Sequence, residues 1–175
     1  MNEYDFTLKF ALPDDRDSPD DFVESLYAGG CDDALIGVGT QGYIALNFIR
    51  EASSAYEAIS SAIADVKKVI PSVTFIEASP DLVSLADIAR ILGCDRENLR
   101  GLIQKSHSTL PLSVYEGIHS IWHLAEILIW LHEEKIYSID RALLEVAQIN
   151  MSLNIARGWQ RIDADIQDNI KSLAV

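Results

Sequence analysis

Cysteine, proline and basic residues are scarce in this sequence, and each shortage excludes a class of protein. The 175 residues include 2 Cys and 5 Pro, and 14 Lys and Arg stand against 27 Asp and Glu, for a formal net charge of -13. Two cysteines, Cys31 and Cys94, cannot build a disulfide framework and lack metal-ligand spacing, which predicts a reduced, cytoplasmic protein. The acidic balance argues against a general affinity for membranes or nucleic acid.

Long apolar runs and catalytic motifs are also missing. No stretch approaches the roughly 20 apolar residues of a membrane-spanning helix, and the charged start Met-Asn-Glu-Tyr-Asp lacks the apolar core of a signal peptide. The sequence contains no Gly-x-Ser-x-Gly, no His-Glu-x-x-His and no Walker loop. We therefore predict that the protein is not an enzyme, binds no cofactor and does not associate with membranes.

The chain does contain enough apolar residues for one large or two small domains. Hydrophobic residues make up 49% of it, which predicts globular structure throughout. The acidic charge is concentrated at the amino end, with -9 in residues 1–80, -3 in 81–135 and -1 in 136–175. We divide the chain into residues 1–79, 80–135 and 136–175.

The first part alternates strands and helices. Apolar residues alternate from Tyr4 to Leu12, as they do in a half-buried strand. The other predicted elements are a helix over 19–28, strands over 34–38 and 43–50, a helix over 54–69 and a strand over 73–77. The order β-α-β-β-α-β predicts a ferredoxin-like sandwich in an α+β protein. We expect this part to dimerise, with an edge strand pairing across a two-fold axis, or to sense a ligand.

The second part opens with two short predicted helices separated by a sharp turn. The first begins at the N-cap Ser84, with Asp87 as a weaker form of the capping box, and ends at Gly93. The second begins at Asp95 and buries Leu99. Guanidinium and carboxamide groups, the types that grip phosphate and read base edges, point outward from it.

Two short β-prone runs about Glu116 and Gly117 and then an apolar helix complete a winged arrangement. Residues 82–134 resemble the MerR/excisionase type of winged helix-turn-helix DNA-binding domain. The matching positions are Leu85, Ile88, Ala89, Leu92 and Gly93 at the opening, Leu110, Pro111 and Val114 at the wing, and Trp122, Ile127, Trp130 and Leu131 at the close. The resemblance covers about a third of the chain and rests on a packing pattern.

The resemblance implies a DNA-binding surface on the second helix and the wing. In this interpretation Arg96, Asn98 and Arg100 approach bases. The whole predicted set is Arg90, Arg96, Asn98, Arg100, Gln104, Lys105, His107 and His119. This part of the chain departs from the family in its charge, because residues 81–135 hold five basic and eight acidic residues. So few cations predict weak binding that requires a dimer, or no binding.

The third part predicts amphipathic helices. One begins at Ser138 or Asp140, a second apolar stretch runs from Trp159 to Leu173, and a bend is expected at Gly158. This apolar surface either folds back over the winged domain or contacts another chain, and the sequence favours neither alternative.

Two functions are consistent with these features. In the first, the protein is a dimeric, autoregulatory, sequence-specific transcriptional regulator that binds double-stranded DNA. In the second, it is an antitoxin or accessory protein whose acidic surface neutralises a basic partner protein, with or without DNA binding. We predict that the four histidines serve structure or DNA contact and do not bind zinc, since the spacing of His119 and His123 across a predicted strand exceeds a chelate's reach.

Overall fold

The protein has an α+β fold in the computed structural model, which describes residues 1–37, 40–106 and 108–173. The strands are β1 (Asn2–Ala11), β2 (Ala34–Gly37), β3 (Tyr43–Ala52), β4 (Thr74–Ser79), β5 (Leu82–Val83) and β6 (Trp122–His123). The helices are α1 (Val23–Ala28), α2 (Ala55–Val69), α3 (Leu85–Leu92), α4 (Arg96–Lys105), α5 (Leu124–Glu133), α6 (Arg141–Gln160) and α7 (Ala164–Ser172). Within the described residues, no helix is long and apolar enough to cross a membrane.

The first four strands form one antiparallel sheet in the order β2-β3-β1-β4. This order, with α1 and α2 between the strands, is that of a ferredoxin-like sandwich, and the predicted β-α-β-β-α-β succession is confirmed. The alternating residues predicted for β1 point to one face, where Tyr4, Phe6, Leu8 and Phe10 are fully buried. The same face of β3 adds Phe48, whose ring stacks on Phe6 at 5.3 Å.

The helix predicted over 19–28 is interrupted. A 3-10 turn occupies Pro19–Phe22, and α1 follows it with only six residues. The hydroxyl of Ser18 donates to the Asp20 carboxylate and caps no backbone N–H, so nothing local favours an α-helical start there. The end of α1 lies tight against α2, since a Cβ on Gly29 would meet the Val69 side chain at 2.3 Å.

The four-stranded sheet with α1 and α2 is the first unit. A buried guanidinium joins several of its elements on one side. Arg50 on β3 is bidentate to Asp33, with N–O distances of 2.7 and 3.0 Å, and bonds Asp65 on α2 at 2.9 Å. Its other contacts are the Ser61 hydroxyl and the carbonyl of Gly30. Burial alone lowers the pKa of Arg50, but the two carboxylates outweigh it, so that pKa lies above its usual value.

Helices α3, α4 and α5 form the second unit and enclose a second apolar core. Leu99, Ile127 and Leu128 are among its fully buried side chains. The predicted helix boundaries are confirmed: Ser84 and Asp87 form a reciprocal capping box, and Gly93 ends α3 in the left-handed conformation with φ 62. Hydrogen bonds from Ser84 hold the pKa of Asp87 below its ordinary value.

The wing is smaller than the sequence predicts. Instead of a two-stranded hairpin about Glu116 and Gly117, one antiparallel bridge joins Tyr115 to Ile121. The residues after it pair elsewhere, because Trp122 and His123 form β6 with β5. That pairing joins segments 40 residues apart in the chain and draws the returning strand away from the wing.

Helix α6 lies against both cores. Val146 belongs to the core of the sheet, and Ala147, the next residue, belongs to the core of the second unit. The third part of the chain therefore folds back along most of α6. The sequence predicts a bend at Gly158, but the helix continues through this glycine and ends at Gln160. The next helix begins at a new N-cap, since the Asp163 side chain accepts from the N–H of Asp165 at the start of α7.

Candidate nucleic-acid interface

Helix α4 is held at its start and along one face, which leaves the opposite face at the surface. The Asp95 carboxylate caps it by accepting from the N–H of Asn98 at 2.9 Å. Leu99 is fully buried, Ile103 is half-buried against the second core, and Leu102 is half-buried. The helix is therefore fixed by its inner side and free to contact a large partner with its outer side.

The predicted base-contacting residues fall on two parts of that outer side. Arg96, Arg100 and Gln104 are four residues apart and form one exposed stripe along the helix. Asn98 and Lys105 are also exposed and lie on the other flank. A stripe of two guanidinium groups and one carboxamide suits a row of base edges.

Two of the predicted cations have acidic neighbours. Arg100 lies 3.4 Å from Glu97 on the same helix, and Arg90 lies 3.5 Å from Asp87 on α3. Both pairs are three residues apart and well exposed, and such pairs contribute about 0.2 to 1 kcal/mol. A bidentate contact to a base is worth about 1 to 3 kcal/mol, so a base can displace Glu97 from Arg100. In the described ranges Arg96 makes no ion pair.

Gly101 is a feature of this face that the sequence analysis missed. Glycine inside a helix costs about 1 kcal/mol relative to alanine, and packing does not explain it here. Apart from its chain neighbours and the backbone of its own helix, a Cβ built on Gly101 would have no described atom within 4 Å. The signal was available in the sequence, since a glycine in the middle of a predicted recognition helix permits close approach of the backbone to a ligand.

The wing contributes little charge to the candidate interface. His119 is exposed on it, while His107 lies outside the described residues. Its other exposed groups are mostly apolar, with Leu112 exposed by 90% and Ile118 by 98%. The apolar character of these side chains makes the wing a poor phosphate-binding element, in contrast to the DNA-binding surface that the resemblance implies for the wing.

His123 is structural in this fold. Its Nδ1 lies 2.6 Å from the carboxylate of Asp81, which is buried. The other oxygen of Asp81 accepts from Asn154 on α6 at 2.7 Å, so the group joins the start of the second unit to the long helix. Across the described parts of the chain, no group of three or more histidine, cysteine or acidic residues is placed to hold a metal ion.

Comparison with protein-family models, with curated proteins and with solved structures found no match to this chain. The resemblance to the MerR/excisionase type therefore stays a prediction from the sequence.

Proposed function

We propose that the protein is a sequence-specific DNA-binding transcriptional regulator that inserts α4 into the major groove. The observation that carries this proposal is the exposed stripe of Arg96, Arg100 and Gln104 beside the uncovered backbone of Gly101. Arg90 and Lys105 are the cations available for phosphate. The excess of acid elsewhere keeps non-specific affinity low, so recognition depends on base contacts.

The proposed regulator acts as a dimer, and α7 is the surface we assign to the contact between copies. None of its residues is buried in the described part of the chain, and Ile166 on the helix and Leu173 directly after it are exposed by 51% and 70%. Helix α7 carries Asp165 and Asp168 against Lys171, a net charge of -1, so the repulsion between two copies there is small. An Ile166→Asp variant should be monomeric by sedimentation, whereas a dimer in that variant would remove α7 from the contact.

The main test is selection of bound sequences from random DNA at low salt, followed by a salt titration. A dimer that holds phosphate with Arg90 and Lys105 of each copy predicts a slope of about -3.6 in log K against log salt. In the selected site, the two recognition helices should read half-sites about 34 Å apart. A failure to enrich any sequence would exclude the regulator.

Two variants examine the recognition helix directly. Arg100→Ala should weaken specific binding by about 1 to 3 kcal/mol and relax the preference at one base pair. Arg16→Ala, which removes an exposed cation from the first unit, is the matched control. Gly101→Ala should stabilise the protein by about 1 kcal/mol and yet weaken DNA binding. If Gly101→Ala binds DNA as the parent does, close approach at that position is not needed.

A second candidate function has its own support. Residues 1–80 carry -9 of the net charge, and the sheet exposes Glu3, Asp5 and Glu51 near one end. Such a surface suits an antitoxin or accessory protein that binds a basic partner. The two candidates use different units of the chain and can coexist in one protein.

A further inference from the structure

One edge of the sheet is closed by side chains from α6. Asn154 accepts from the N–H of Ala78 at 2.9 Å and donates to its carbonyl at 2.8 Å, and Arg157 donates to the carbonyl of Phe75 at 3.0 Å. These contacts satisfy main-chain groups on the outer side of β4. The predicted edge-to-edge pairing of two copies is therefore blocked along that strand.

In the described residues, no side chain of α6 hydrogen-bonds the main chain of the neighbouring strand β1 at residues 2–6, where α6 contacts the strand through the Tyr4 hydroxyl, which donates to Glu145 at 3.0 Å. The last pair between β1 and β4 joins Thr7 to Ser79, after which the chain turns away toward β5. Strand β1 continues to Asn2, and residues 2–6 have no strand on that side in the ranges described. Five residues of strand span about 16 Å, enough to pair with a short extended segment.

A cleft of about 910 Å³ adjoins this edge. It lies between the sheet, the β4–β5 connection, α3 and α6, and Ile76, Leu82 and Ile91 supply apolar walls. Four acidic side chains, Asp5, Glu77, Asp81 and Asp87, line it against two basic ones, Arg90 and Arg157. Glu77 also lies 3.9 Å from Lys9 in an exposed pair. The cleft therefore offers both apolar surface and negative charge beside unpaired main chain.

The charge at this end of the sheet is unfavourable for the isolated protein. Glu3 and Glu51 are directly opposite each other in the β1–β3 register, and both are exposed. Like charges in that position destabilise a sheet. Arg50, the neighbour of Glu51, is turned inward and neutralised by Asp33 and Asp65, so it does not relieve the repulsion. A cationic partner would do so.

We propose that residues 2–6 of β1 accept an extended, lysine- or arginine-bearing segment of a partner protein as an added strand. Main-chain hydrogen bonds to the open edge hold the segment, and its cationic side chains lie near Asp5 and Glu77. A small organic cation would use the carboxylates but not the strand edge. This inference rests on the partner-binding candidate above and names the surface that serves it.

The test uses the full-length chain and the peptide Ac-Lys-Val-Lys-Val-Lys-NH2. Binding is measured by calorimetry, and amide hydrogen exchange is followed by NMR with and without the peptide. Exchange should slow at those amides of residues 2–6 that face the open edge, and stay unchanged in β2. A peptide with both valines replaced by proline keeps its charge but loses main-chain donors, and should bind at least tenfold more weakly, as an order-of-magnitude expectation.

Charge variants separate the site from general attraction between an acidic protein and a basic peptide. The double variant Asp5→Asn, Glu77→Gln should lower affinity about tenfold, since each exposed ion pair contributes up to about fivefold. Asp20→Asn, Asp21→Asn makes the same change of net charge in the 3-10 turn at Pro19–Phe22, outside the proposed site, and should lower affinity less than about twofold.

The outcomes are distinguishable. Equal binding of the proline peptide, or unprotected amides at residues 2–6, would overturn the proposed strand addition. Protection at β2 instead would move partner binding to another edge, so that the partner-binding candidate stands and this site fails. No binding of the lysine peptide would refute the site outright. The experiment contains no DNA, so its result is independent of the regulator proposal.

Discussion

The buried guanidinium of Arg50 gives the sharpest prediction about what holds the first unit together. Its side chain is 11% exposed and makes five hydrogen bonds, two of them to Asp33 and one to Asp65. Arg50→Ala would leave both carboxylates without their cation. Removing one partner of a buried ion pair costs about 3 to 5 kcal/mol.

The expected loss of unfolding free energy for Arg50→Ala lies toward the lower end of that range. The side chains of Asp33 and Asp65 are 28% and 30% exposed, so water can rehydrate them once Arg50 is gone. We expect a loss of about 3 kcal/mol for Arg50→Ala, a large share of the roughly 5 to 15 kcal/mol that stabilises a protein. Arg50→Lys keeps the charge but cannot reproduce the two-pronged contact with Asp33, and should lose about 2 kcal/mol.

Urea unfolding measures both values. With a slope of about 2 kcal/mol per molar, the midpoint should fall by about 1.5 M in Arg50→Ala and by about 1 M in Arg50→Lys, at unchanged slope. Arg16→Ala, which removes an exposed cation paired with Asp14, should change the midpoint by less than about 0.3 M. If Arg50→Lys is as stable as the parent, charge alone suffices and the argument from bidentate geometry is wrong.

Three further predictions concern the edge strand, the capping box and the thiols. Asn154→Leu leaves the N–H and carbonyl of Ala78 without partners, removes the donor to the buried Asp81 carboxylate, and should cost at least about 2 kcal/mol in urea unfolding; a neutral effect would mean that water replaces the amide. The lowered pKa of Asp87, caused by hydrogen bonds from its cap partner, means that the folded form binds the proton less readily than the unfolded form. The stability from Asp87 is therefore present above its ordinary value of 3.8 and is lost as pH falls through the lower folded value. The difference of about 1 kcal/mol between the parent and Asp87→Ala at pH 7 should shrink only below a pH of 3.8, and a constant difference down to the lower folded value would contradict it. Burial raises the pKa of Cys31 to about 11, so a thiol reagent at pH 8 should modify the half-exposed Cys94 first and Cys31 only in urea; rapid modification of both in the folded protein would refute this.

Features that depend on local chemistry could be predicted from the sequence. The alternation along β1, the caps at Ser84 and Asp95 and the stop at Gly93 each depend on residues within one turn or one strand. The ferredoxin-like order also follows from local patterns, because β-α-β-β-α-β has few compact solutions. The exposure of the stripe on α4 also follows from a local pattern, because its polar residues recur every four positions while Leu99 marks the buried side of the helix.

Features that depend on distant segments could not be predicted. The wing lacks the predicted second strand because β6 pairs with β5 instead. The two strands are far apart in the sequence, so a pattern read from neighbouring residues does not predict their pairing. The inward turn of Arg50 requires carboxylates from two other elements. The open edge of β1 depends on where β4 leaves it, at Ser79. The sequence specifies each residue in these contacts but not which ones meet.

The position of α6 has a consequence for how the protein can be divided. Adjacent residues of one helix, Val146 and Ala147, complete two different cores. A truncated chain that ends before α6 would expose apolar surface on the sheet and on the helical unit at once. The two units should therefore unfold in a single thermal transition. A motion in one unit that shifts α6 along its axis would be transmitted directly to the other unit, because the same helix contacts both cores.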